Sequence, residues 1–266
     1  MTIRIPALFV VLVVVLACAG GSGGSVTPAT NVELTVYGAA SLKGVLEEVK
    51  TAYEASHPGT ALTMSTDASS ALATKIEQGA PADVFLSADT TNAQRLVDAG
   101  LAAGDAVVFA ANELTIIVPA DNPAGITSPA DLGRPGVKVI AAGDEVPITR
   151  YAVQVVVNLA RGAGYGTGFA AAYATNVVSR EDNVKAVVAK IELGEGDAGI
   201  VYTTDAAAST KVATVDVPNA ANVPASYAGV VVKASGNVDA ARAFLAWLVG
   251  SDGQAVLAGF GFLPSP

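Results

Sequence analysis

The chain has 266 residues, 52% of them hydrophobic, a formal charge of −9, one cysteine and one histidine. The acidic balance excludes a nucleic-acid partner, whose electrostatic footprint is basic, but it does not exclude a small anion, which local N–H dipoles hold whatever the net charge. A single cysteine allows no intramolecular disulfide, so stability must come from a core, and the 235 residues after position 31 can build one large or two small domains.

Residues 1–18 stand apart from the fold. Arg4 gives a basic start, and residues 7–17 form an apolar run of 11 residues. That is too short for a membrane-spanning helix, which needs about 20 residues, and it suits a signal-peptide core. The run ends in Val15-Leu16-Ala17-Cys18 followed by Ala19-Gly20-Gly21-Ser22. This resembles a bacterial lipoprotein cleavage site, with Cys18 as the lipidated N-terminus; an ordinary secretory signal with an incidental cysteine is the alternative. Residues 19–31 are rich in Gly, Ser and Thr and read as a flexible tether with a reach of about 20 Å.

From residue 32 strand-like and helix-like segments alternate, which predicts an α/β fold with mostly parallel sheets. The strand-like run 32–36 leads into Tyr37-Gly38-Ala39-Ala40-Ser41-Leu42. Leu42, Val45, Leu46, Val49 and Tyr53 then fall on one face of a helix that ends near Ser56-His57-Pro58-Gly59. A second strand leads into Asp67-Ala68-Ser69-Ser70-Ala71-Leu72 and a helix over 70–78, with Gly79 as its stop. A strand over 82–86 and a helix over 92–99 follow. Strand material at 107–110 and 114–118, broken by Asn112-Glu113, is placed to cross from one domain into another. A second set comprises a strand over 137–140, a helix from Tyr151, a helix over 184–191 and a strand over 198–202. A strand over 228–233 and a helix over 238–249 holding Trp247 are expected to return to the first domain. The resulting division is 32–110 with 216–266 as domain I and 111–215 as domain II.

Ser41 and Ser69 each sit where a strand turns into a helix N-terminus, a place where unpaired N–H groups and the helix dipole hold anions. Plain helix capping is the alternative for both, and Ser70 competes with Ser69. Pro147 suits the first turn of a helix, Ser179 and Asp182 are candidate caps for the helix at Val184, and Tyr202 ends a buried strand at the carboxyl edge where α/β folds bind ligands. Asp83, Asp89 and Asp205 are expected to cap helices or brace turns, and Trp247 to join the core.

Six motifs in order carry a resemblance. Ala39-Ala40-Ser41-Leu42, Ala68-Ser69-Ser70-Ala71-Leu72, Gly79-Ala80-Pro81-Ala82-Asp83-Val84-Phe85 with Ser87-Ala88-Asp89, Val146-Pro147, Glu181-Asp182-Asn183-Val184 and Gly199-Ile200-Val201-Tyr202 resemble the molybdate-binding proteins of ABC importers. The resemblance implies a two-domain type II periplasmic-binding-protein fold with the ligand in the interdomain cleft. It implies ligand contacts from the hydroxyls of Ser41 and Ser69, the backbone N–H groups of Ile148 and Val184, and the hydroxyl of Tyr202. The implied ligand is molybdate, with tungstate beside it, and no separate cofactor is expected. The implied partners are an ABC permease and, through Cys18, the outer face of the cell membrane, for an exported or periplasmic chain expected to be a monomer. A tungstate- or sulfate-preferring receptor on the same scaffold is the runner-up. A site made of donors disfavours protonated phosphate, whose O–H needs an acceptor.

One stretch departs from the family pattern. Ile148 is followed by Thr149-Arg150 where the family carries a glycine, and the preceding loop is shorter. Threonine adopts positive φ less readily than glycine. Arg150 is expected to pair with Asp144 or Glu145, or to face solvent, in preference to reaching the ligand. The rival class, an exported serine hydrolase, needs a histidine. His57 stands beside Pro58 at a helix end, no nucleophile elbow follows a predicted strand, and neither metal-ligand spacing nor a phosphate-binding loop is present. The chain therefore reads as a binding protein and not as an enzyme.

Overall fold

The computed structural model describes residues 31–265; the expected signal peptide, Cys18 and residues 19–30 of the tether lie outside them. β1 (Val32–Ala39) and β2 (Thr60–Asp67) pair in parallel at a constant offset of 28 residues, from Val32↔Thr60 to Ala39↔Asp67. Between them a 3₁₀ turn (Ala40–Leu42) leads into α1 (Lys43–Ser56), which buries the predicted stripe Val45, Leu46, Val49 and Tyr53. α2 (Ser69–Glu77) ends at Gly79, whose φ of +87° is left-handed and open to glycine at no steric cost. β3 (Val84–Ser87), α3 (Thr90–Asp98) and β4 (Val107–Asn112) follow.

A single residue, Glu113, separates β4 from β5 (Leu114–Pro119). The chain then forms β6 (Val139–Ala142), α4 (Pro147–Arg161), α5 (Phe169–Asn176), β7 (Val177–Glu181), α6 (Val184–Glu192), β8 (Gly199–Tyr202), α7 (Thr203–Ala207) and β9 (Val212–Val215). It returns through β10 (Ala225–Val231) and closes with α8 (Val238–Val249) and α9 (Ser251–Gly259).

The strands form a five-stranded sheet in the order β2-β1-β3-β10-β4, a three-stranded sheet β8-β5-β9 and the pair β6-β7. This is a two-domain α/β fold, with β10 carrying the late part of the chain into the sheet built by the early part. Parallel pairs do not predominate, as the sequence had suggested they would. β10 runs antiparallel to β3 and β4, and β5 antiparallel to β8 and β9. The reason is the crossing. β1, β2, β3 and β4 run towards the cleft, whereas β10 enters from it and runs away; β5 likewise leaves the cleft that β8 approaches.

Asparagines brace the two crossings. Asn112 donates from Nδ2 to Thr204 Oγ1 at 2.8 Å and accepts from Thr203 Oγ1 at 2.8 Å. Asn222 accepts from Leu114 N–H at 3.2 Å and donates to its carbonyl at 2.9 Å, a two-point clamp between segments 108 residues apart.

The cap of α6 is a correction. Its side-chain cap is Asn183, which accepts from the N–H of Ala186 at 3.1 Å, and not Ser179 or Asp182. Ser179 and Glu181 belong to β7, so only Asn183 stands immediately before the first turn. Asp83 braces a turn, accepting from Thr35 N–H at 2.7 Å and from Ser235. Trp247 lies at the edge of the core, 5.3 Å from the ring of Tyr53. The elements α5, β7, α7, β9 and α9 were not marked by the periodicity; α5, α7 and α9 are short and rich in small residues, so their apolar faces are weak.

Candidate functional site

Ser41 and Ser69 are 28 residues apart, the same offset as the register of β1 against β2. Each follows its strand by two residues, so the parallel pairing sets the two turns side by side at the carboxyl edge of the sheet. Ser41 falls in the 3₁₀ turn and Ser69 is the first residue of α2, and both are buried. The second domain brings two helix N-termini to the same place. Ile148 is the second residue of α4 and Val184 the first of α6, positions where a backbone N–H has no partner within its helix. Tyr202 ends β8.

All five residues line one small cavity together with Ala39, Ala68, Ala88 and Pro147. Its volume is ≈ 10 Å³, at the lower limit for admitting one water. A larger cavity of ≈ 160 Å³ lies in the second domain behind Ile148, against Ala152, Val156, Tyr173 and Ile200. Its lining is mostly apolar and no set of donors converges on it, so the small cavity is the candidate site.

The hydrogen bonds around the cavity fix its chemistry. Tyr227 donates from its phenol to Ser41 Oγ at 2.9 Å, and the N–H of Ala88 donates to Ser69 Oγ at 3.0 Å. Each serine oxygen thus already accepts, which leaves its own O–H free to donate. The hydroxyl of Tyr202 is fully buried and has no hydrogen-bond partner among the described residues. Burial above all, with Tyr227, Tyr151 and Asp205 adding to it, holds the Tyr202 phenol well above its ordinary pKa, so it remains a donor. Three hydroxyl-bearing side chains and the residues of two free helix N–H groups therefore border one cavity, backed by the positive ends of α2, α4 and α6.

Two carboxylates stand nearby, one held by hydrogen-bond donors and the other by a countercharge. Asp89 caps α3, accepting from Asn92 N–H at 2.8 Å and Ser87 Oγ at 2.8 Å. Asp205 is fully buried without an aligned hydrogen bond; its countercharge is Lys185, whose Nζ lies 2.7 Å from Oδ1. Burial raises the pKa of Asp205 and Lys185 opposes that rise.

The altered loop also has a definite path. Thr149 lies in the first turn of α4, needs no positive φ, and donates its hydroxyl to the carbonyl of Ala142 at 2.9 Å. Asp144 pairs with Arg180 at 2.8 Å, and Arg150 pairs with Asp89 across the cleft, which corrects the expected pairing with Asp144 or Glu145. Arg180 has taken the Asp144 carboxylate, and the first turn of α4 faces α3. His57 caps the end of α1 with its ring stacked on Tyr53 at 4.0 Å. Tyr227 and Ala88 escaped the sequence reading. A phenol inside the buried strand β10 is the signal that could have found Tyr227; a backbone N–H such as that of Ala88 leaves none.

The profile of the family described as bacterial extracellular solute-binding protein matches residues 34–263. The molybdate-binding protein ModA of Mycobacterium tuberculosis is 36% identical over 256 residues, 94% of each chain. Among solved structures, the substrate-binding domain of a putative molybdenum ABC transporter from Clostridium difficile is 30% identical with a TM-score of 0.66, over 88% of this chain and all of that one. The sulfate-binding protein SubI of Mycobacterium tuberculosis is similar in fold, with a TM-score of 0.79 at 24% identity, over 88% of this chain and 87% of the other.

Proposed function

The chain belongs to the bacterial extracellular solute-binding proteins, a family of receptors and not of enzymes, and on that premise we propose that it binds molybdate, and tungstate with it, and hands the anion to an ABC permease. The observation that carries this reading is the cavity bordered by hydroxyls and helix N-termini, in which both serine oxygens are already accepting and Tyr202 holds a hydroxyl without a protein partner among the described residues. A fully deprotonated tetrahedral dianion satisfies every one of these groups. At about 1.5–3 kcal/mol for each hydrogen bond to a charged group, five of them can offset dehydration of the anion. Monohydrogen phosphate would bring an O–H, and no carboxylate lines the cavity to accept it; an unmet buried donor costs about 1–3 kcal/mol.

The ligand set is Ser41, Ser69, Tyr202 and the N–H groups of Ile148 and Val184. Domain I comprises 32–110 and 216–266 and domain II 111–215, a division supported to within two residues by sheet membership, β4 running on to Asn112 in the first sheet. Export, with a lipid on Cys18 as its anchor, follows from the N-terminal pattern, and mass spectrometry of the mature N-terminus tests it. Sulfate is the second reading, favoured by the fold likeness to a sulfate-binding protein; sulfate is smaller than molybdate, so jaw separation decides between them. Calorimetric titration with molybdate, tungstate, sulfate and phosphate at equal ionic strength tests both. Tight binding of molybdate and tungstate with weak sulfate and no phosphate is expected. Failure of molybdate and tungstate to bind at micromolar levels would overturn the proposal.

A further inference from the structure

We propose that Arg150 is a positioning residue for anion binding, its guanidinium clasping the carboxylate of Asp89 so that the two jaws stay fastened over the ligand. The inference rests on the oxyanion reading and adds a device that closes the same site. Arg150 is the fourth residue of α4, which packs on β6 and β8 of the second domain. Asp89 caps α3, which packs on β3 and β10 of the first. Their ion pair therefore spans the cleft.

Both ends of the clasp adjoin the jaws. Arg150 is two residues beyond Ile148, and Asp89 follows Ala88, whose N–H holds Ser69 Oγ. The two partners are also built differently. The Asp89 side chain is only 4% exposed and is fixed within its own domain by Ser87 and by the N–H and side-chain amide of Asn92. The Arg150 side chain is 43% exposed. On opening, the guanidinium can move into water while the carboxylate keeps its other donors, so the ion pair is the bond that breaks. A weaker attraction of the same sense runs from Glu145, two residues before α4, to Arg95 of α3, whose main partner is Glu77 of its own domain. Asp144 does not compete for Arg150, because Arg180 holds it.

A clasp that forms after the anion is seated slows its departure and leaves its arrival alone, since affinity differences within one site fall mainly on the off-rate. The test is stopped-flow binding of molybdate to the full chain, to Arg150→Gln, to Arg150→Lys, to Asp89→Asn, which keeps an N-cap, and to the double variant, at low and high salt. Arg150→Gln is expected to raise koff about tenfold, equivalent to about 1.4 kcal/mol, with kon changed less than twofold. Arg150→Lys should recover part of that loss, and added salt should weaken the wild type more than Arg150→Gln. In the Asp89→Asn background Arg150→Gln should cost little more. An unchanged koff overturns the clasp. So does an undiminished loss in the Asp89→Asn background, which would mean that Arg150 touches the anion itself. Should molybdate fail to bind even the wild type, the oxyanion reading falls by itself. Small-angle X-ray scattering then decides the clasp: a larger radius of gyration for Arg150→Gln than for wild type supports it, and equal radii refute it.

Discussion

Replacing Tyr202 by phenylalanine should move stability and affinity in opposite directions. The tyrosine is 1% exposed, so the protein without ligand carries a buried hydroxyl that no described protein group satisfies. Such a group costs about 1–3 kcal/mol. Phenylalanine removes it and keeps the ring, with its contacts to Tyr227 at 5.6 Å and Tyr151 at 6.4 Å between centroids. For a chain of this size each kcal/mol shifts the melting temperature by about 2–4 °C, so the variant should melt several degrees higher. Binding should suffer in the same variant. A lost hydrogen bond to a charged ligand is worth about 1.5–3 kcal/mol, a rise in Kd of roughly 10- to 100-fold. Molybdate at 1,000 times the wild-type Kd adds about 4 kcal/mol to the wild type and about 2 kcal/mol to a variant binding 30-fold more weakly, so the gap in melting temperature should close. Differential scanning calorimetry with and without molybdate, beside isothermal titration, reads all three quantities. A variant that melts lower without ligand, or binds as tightly as wild type, would refute the account of the site given by its hydrogen bonds.

Ser69→Ala should weaken molybdate binding by about 1–3 kcal/mol and also lower stability, because it strands the N–H of Ala88; unchanged affinity by titration calorimetry would reduce Ser69 to a helix-start residue. Lys185→Met should destabilise the fold by about 3–5 kcal/mol, since it leaves Asp205 buried without its countercharge, and chemical denaturation would show it. Burial pushes the Tyr173 phenol up to about 12. The unfolded chain releases that proton near pH 10 while the folded chain still holds it. The unfolded state then binds fewer protons, so stability should fall as pH rises from 10 to 12. Melting temperatures across that range, with ultraviolet titration of tyrosinate, would check it, and a flat profile would contradict the burial of Tyr173.

The serine jaw was legible because its parts are local. A strand, a turn and a helix start are written in consecutive residues around Ser41 and again around Ser69, and their spacing equals the register of the strands that carry them. The amphipathic stripe of α1 and the stop at Gly79 were visible for the same reason. Ile148 and Val184 contribute backbone N–H groups, which have no residue signature, so only the family resemblance could point to them. Four antiparallel pairings and the capping of α6 by Asn183 went unforeseen. Strand direction depends on which side of the cleft the chain enters from, and a cap depends on where the preceding strand stops.

The sequence by itself thus determined the α/β class, the two serine turns and a chain suited to binding a small anion outside the reach of nucleic-acid partners. Tertiary structure decided what makes the turns a site. Tyr227 reaches Ser41 from 186 residues away because β10 inserts between β3 and β4. Arg150 meets Asp89 because α4 and α3 face each other across the cleft. Periodicity records which face of an element is apolar, but not which distant element it meets, and both the polarity of the serine hydroxyls and the clasp over them are set by such meetings.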